Sequence, residues 1–211
     1  MIYRISLVAA FALLIALQGC AHAPPPSTRE KKVGPVSPDG VCPHLEGGYG
    51  FIGSLVQFSG SFPKKVALNY ALPSSDLDAL AELEKNYKRS DSGRYIFPEV
   101  VNITTLGPRQ WSLTVKYPDG QSLGSYQMQL NNDSRYMCNE GVMTWGGHIN
   151  GRSELGPNTI NSRSWLWIDE FGDLTIEQHL NVDMNLTLLH VPTGTAQTYA
   201  VYKFVHLEAK Q

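Results

Sequence analysis

No stretch of this chain is apolar for long enough to cross a membrane as a helix. The best run, Ile5 to Leu17, is about 13 residues with only Ser6 polar, and a spanning helix needs roughly 18 or more. Charge of one sign is also scarce: 17 Lys+Arg against 19 Asp+Glu give a net charge of -2. That leaves no basic patch for a nucleic-acid partner. The pairs Lys31-Lys32, Lys64-Lys65 and Lys88-Arg89 read as solvated surface. There are only three cysteines, in no Cys-x-x-Cys arrangement, so a thioredoxin-like redox motif is out. No internal repeat occurs either.

What is present starts at the N-terminus. Arg4 is the lone charge before the apolar run, and Gln18-Gly19-Cys20 ends it. A short charge, an apolar stretch of roughly 7–15 residues and then small residues is the order of a signal peptide. A buried core helix is the plainer alternative, but it would sit at the extreme N-terminus ahead of a proline cluster. We therefore expect a signal peptide over 1–19, whose loss removes Arg4 and takes the net charge to about −3.

Leu17-Gln18-Gly19-Cys20 resembles the lipobox of bacterial lipoproteins. The resemblance implies cleavage between Gly19 and Cys20 and a diacylated Cys20 thiol. Gln18 departs from the family's usual small residue. Ala21 stands where an inner-membrane retention signal has Asp, so the resemblance implies an outer-membrane anchor; of the two orientations, periplasmic and surface-exposed, we expect the periplasmic one. Two or three acyl chains hold a protein stably, whereas one binds reversibly.

With Cys20 assigned to lipid, Cys42 and Cys138 remain, an even number in an oxidising compartment. Paired, they would close a loop on the order of 100 residues, for which chain entropy gives about 4–5 kcal/mol. Two buried free thiols are the alternative.

Residues 20–41 hold the cysteine and then Pro24, Pro25, Pro26, Pro35 and Pro38 among charges, the composition of an extended tether. Residues 42–211 are then one domain of ordinary size. Pro73 to Asp78, with Leu77, Leu80, Leu83 and Tyr87 behind it, predicts one short helix ending near Lys88 to Ser90. The rest reads as strands. Trp111–Tyr117 turns at Pro118-Asp119-Gly120 and returns over Leu123–Leu130; Trp165–Ile168 turns at Glu170 to Asp173. From Leu174 to Leu188 apolar and polar residues alternate with one break at Gln178, as in a sheet with one face on a core and one in water. So long a run predicts a bend or bulge within it. A turn at Pro192-Thr193-Gly194 precedes a last strand, Tyr199–Leu207. The expected fold is mainly β: an antiparallel meander forming a barrel or half-barrel with one helix, or else a two-sheet sandwich.

Few constellations carry chemistry. Gly48-Tyr49-Gly50-Phe51-Ile52-Gly53 fits Gly-x-Gly-x-x-Gly, but no strand-then-helix frame surrounds it, so a kinked first strand is the better reading. Glu177, His179 and Asp183 share one strand face, where alternation alone puts polar residues. One strand cannot close a metal site, and we expect neither metal nor cofactor. Trp165 and Trp167 lie on one face, with Leu166 and Ile168 on the other, so one pair faces the core and the other is covered or meets a ligand or partner.

Cys42-Pro43-His44-Leu45-Glu46-Gly47-Gly48-Tyr49 resembles the C-P-x-L-x-G-x-Y opening of many small proteobacterial lipoproteins of unassigned function. Those chains also carry a mid-domain cysteine before a turn, here Cys138 to Gly141, and an aromatic-rich last strand. The resemblance implies a Cys42–Cys138 pair and an envelope role. The expected function is non-catalytic, not enzymatic: envelope structure or assembly through protein contacts. The alternative is lipocalin-like binding of a small apolar or lipid ligand.

Overall fold

The computed structural model describes residues 33–36, 41–73, 77–130, 136–153, 156–186 and 191–207. In chain order the elements are β1 (Gly47–Gly50), β2 (Ile52–Ser59), β3 (Lys65–Ala67), α1 (Leu68–Ala71), α2 (Leu77–Lys85), β4 (Val100–Gly107), β5 (Gln110–Lys116) and β6 (Ser122–Gln129). They continue as β7 (Tyr136–Asn139), β8 (Val142–Ser153), β9 (Gly156–Ile168), β10 (Leu174–Leu186), β11 (Val191–Phe204) and β12 (His206–Leu207). The fold is mainly β, as the strand patterns predict. The strands form two antiparallel sheets, one of five ordered β12-β1-β4-β5-β6 and one of seven ordered β3-β2-β11-β10-β9-β8-β7. Neither closes into a barrel.

Alternation dictates what lies between the sheets. Val101, Ile103, Leu113, Val115 and Met128 of the smaller sheet meet Leu166, Ile168, Leu174, Ile176, Tyr202 and Phe204 of the larger one in a single buried cluster. Leu80 and Leu83 of α2 join it. These are positions i and i+3, the spacing that puts an amphipathic helix's apolar stripe on a core. The helix starts where apolar spacing predicts, although its cap candidates Ser74 to Asp76 lie outside the described residues. It stops at Lys85, short of the expected Lys88–Ser90, because the chain there folds back on itself and Arg89 bridges Tyr95. A second, four-residue helix, α1, has no counterpart in the sequence reading.

The glycine-rich opening is a corner. β1 belongs to the small sheet and β2 to the large one, with Phe51 between them, 1% exposed. The C-terminal strands do the same at Val205: β11 pairs with β2, and β12 pairs with β1. A two-stranded ribbon thus crosses from one sheet to the other, the device by which packed sheets share a corner.

The long alternating stretch is β10, and the bulge expected in it falls between Met184 and Asn185. The turn expected at Pro192-Thr193-Gly194 is not one. Those residues lie inside β11, Pro192 opposite Asn185 and Gly194 opposite Met184. The register shift accommodates the proline, which a regular ladder would exclude.

Residues 33–36 of the expected tether lie on the domain as a strap. Val33 bridges Asp169, Gly34 N–H donates to the Ile168 carbonyl at 2.7 Å, and Val36 bridges Pro43. Gly141, at φ 76°, makes room for this strap: a Cβ there would stand 2.5 Å from Val36 and 2.6 Å from Val33. Cys42 and Cys138 lie beside it, with their sulfurs at bonding distance, 2.06 Å. The disulfide ties the start of the domain to the β7–β8 hairpin.

Candidate functional site

Trp165 and Trp167 stand on the face of β9 turned away from the core, since Leu166 and Ile168 occupy the core face. The register sets Trp165 beside Glu177 and Trp167 beside Thr175 of β10. This face was expected to be wet, and near the core it is not. Thr175, Glu177, Trp167 and Val201 are 6%, 3%, 9% and 9% exposed. Water does not reach Glu177 as alternation suggests, and a buried carboxylate needs hydrogen bonds. One partner is His179, whose Nε2 lies 2.5 Å from Glu177 Oε1.

That bond positions the imidazole in a line of rings. His179 meets Trp165 edge-on, with centroids 4.7 Å apart, and lies 5.9 Å from the Tyr199 ring. The Arg163 guanidinium sits 5.3 Å from the Trp165 ring centre, in range for a cation–π contact. Gln57 Nε2 donates to the Tyr199 hydroxyl at 3.3 Å.

Further from the core the same face opens into a half-open cleft of about 510 Å³. Cross-strand pairing of β9, β10 and β11 builds it in two rows, Arg163–His179–Tyr199 and Asn161–Asn181–Gln197. Ser162, Leu180 and Thr198, one position on in each strand, complete the lining between the rows, with Trp165 at the inner end and Gly147 of β8 at the side. Asn161 is tied to His148 Nδ1 at 2.8 Å. Asn181 Oδ1 is buried and has no hydrogen-bond partner.

Of the acidic and imidazole residues singled out on β10, the structure brings Glu177 and His179 together. Asp183 lies farther along, opposite Thr159 and Thr195. Among the described residues no three His, Cys, Asp or Glu side chains group closely enough to hold a metal ion.

At the strap, Lys203 Nζ bridges Asp169 at 2.9 Å and Asp173 at 3.0 Å. These two carboxylates hold the lysine's pKa above its usual value. Asp173 Oδ1 also accepts from the His206 backbone N–H at 2.8 Å. A smaller cavity of about 290 Å³ lies beside the disulfide, lined by Cys42, His44, Leu45, Arg109 and Trp111 among others.

One surface escaped the sequence reading. Tyr70, Tyr95, Ile96 and Phe97 are 57%, 51%, 40% and 58% exposed. Tyr95 and Phe97, with Tyr87, line a shallow groove along Ala81, Glu84 and Lys85 of α2. The Tyr87 ring packs edge-on against Phe51, Tyr95 and Phe97. Tyr70 donates its hydroxyl to Glu84 across the two helices. The Tyr95-Ile96-Phe97 run was a visible signal, but nothing local says that it faces outward.

The lipidation and cleavage residues, Cys20 and Gly19, lie outside the described residues. Among the described residues no helix is long and apolar enough to span a membrane. No protein-family model, no curated protein and no solved structure matches this chain.

Proposed function

We propose that the chain is a lipoprotein held in the outer membrane through lipid on Cys20 and facing the periplasm. Its domain serves envelope structure or assembly through protein contacts, without catalysis. The observation that carries the contact role is the aromatic groove beside α2. Three large side chains in a row, Tyr95, Ile96 and Phe97, are each at least 40% exposed. Exposed contiguous apolar surface of this kind marks interaction sites, and aromatic residues are enriched in interface cores.

An apolar ligand held between the sheets, in lipocalin fashion, has less support. The space it would need is taken by the side-chain cluster that joins the two sheets.

The test is site-specific photocrosslinking in cells. A photoreactive residue at position 97 should give a discrete crosslinked protein, and Tyr95→Ser should remove it. A probe at Val56, 57% exposed on β2, is the control. Equal crosslinking from positions 97 and 56 would rule out the groove. Separately, Cys20→Ser should abolish labelling by a fatty-acid analogue and release the protein from membranes; retained label would rule out the anchor.

A further inference from the structure

We propose that the cleft on the outer face of β9–β11 binds a saccharide. Its lining disfavours charged and purely apolar ligands. Among the described residues that line it, Arg163 is the single Lys or Arg, and none is Asp or Glu. A phosphate or polycarboxylate site would gather several cations. An apolar ligand would strip water from three primary amides without replacing their hydrogen bonds, which is costly.

A sugar ring fits both halves of the cleft. It offers adjacent hydroxyls that donate and accept, and an apolar C–H face. Asn161, Asn181 and Gln197 stand side by side on neighbouring strands, about 4.8 Å apart. Each amide nitrogen carries two N–H donors, which match the oxygens of paired hydroxyls. The adjoining row and Trp165 supply rings, and Glu177 fixes the His179 ring among them. The volume, about 510 Å³, lies within the roughly 300–1,000 Å³ of small-molecule sites.

The experiment is calorimetric titration of the full-length chain in detergent with two probes. One is a chito-oligosaccharide, the uncharged N-acetylhexosamine chemistry of peptidoglycan glycan; the other is the neutral, dephosphorylated hexose region of lipopolysaccharide core oligosaccharide. The choice of probes rests on the envelope location proposed above, whereas the site rests on the cleft alone. Saturable binding of either is expected and names the source. Asn181→Leu and Gln197→Ala should each weaken it about tenfold, the effect of one lost hydrogen bond of ~1.4 kcal/mol. Gln197 is exposed, so its truncation tests the site without disturbing the core. Phe97→Ser should leave binding unchanged, which separates this site from the α2 groove. No heat with either probe at millimolar concentration overturns the proposal, as does binding that both cleft variants leave intact.

Discussion

The ring of Phe204 occupies the space that a side chain at Gly53 would need: a Cβ there would lie 2.5 Å from the ring. Phe204 is fully buried where the two sheets meet, so the ring cannot retreat without leaving the core. Gly53→Ala is therefore expected to destabilise the domain by about 1–3 kcal/mol, the usual cost of overpacking. Urea unfolding measures it. Adding Phe204→Leu to the same chain should give less than the sum of the two single losses, because the residues are in contact.

Replacing Cys42 and Cys138 together by serine should lower stability by about 2–5 kcal/mol. The two are 96 positions apart, and a long closed loop restricts the unfolded chain most. Thermal melts with and without reductant check this. If the midpoint does not move, the strap and the β7–β8 turn hold the domain start without the bond.

His179→Ala removes one hydrogen bond from the Glu177 carboxylate, which is 3% exposed. The expected loss is about 1–3 kcal/mol, the cost of a buried acceptor left short of a partner. Glu177→Gln keeps an acceptor and a side chain of the same shape, so it should cost less than His179→Ala. The reverse order by urea unfolding would show that the pair matters little to the fold.

Alkali should weaken the fold. Burial first, and then the Asp173 carboxylate, push the Tyr49 pKa from about 10 to about 12; Asp169 and Asp173 also raise Lys203. In both cases the folded state holds its proton more tightly than the unfolded chain. The stabilisation is complete below the unfolded values and is lost as pH rises through the folded ones. Urea midpoints should thus fall between about pH 10 and 12, with no matching loss from these two groups near neutrality. In Asp173→Asn the Tyr49 phenolate should form at lower pH, seen by ultraviolet absorbance.

Much of the fold was legible wherever one face of a strand is dry. β5, β6, the inner half of β10 and the end of β9 carry alternating apolar residues because they face the core. The outer halves of β8 and β9, Gly146–Ser153 and Gly156–Ser164, carry no such pattern. They are strands through cross-strand backbone pairing, where side chains give little signal. The same physics hid the site. Trp165 carried a visible signal, but its neighbours in the cleft come from four strands, and only register reveals that Asn161, Asn181 and Gln197 form a row. Burial of Glu177 was equally unreadable, since alternation gives the face and not what shields it.

The pairing of β1 with β12 sets an order of events. Gly48 sits opposite Leu207 and Tyr49 opposite His206, so β1, among the first strands made, must wait for the last to gain its outer neighbour. The long hairpins β8–β9 and β10–β11 have near partners and can zip locally. Closing the ribbon between the sheets joins residues far apart along the chain, the kind of contact that slows folding. This domain should therefore collect late intermediates with its long arm formed and its corner open, and shortening the chain by a few residues past Phe204 should trap them.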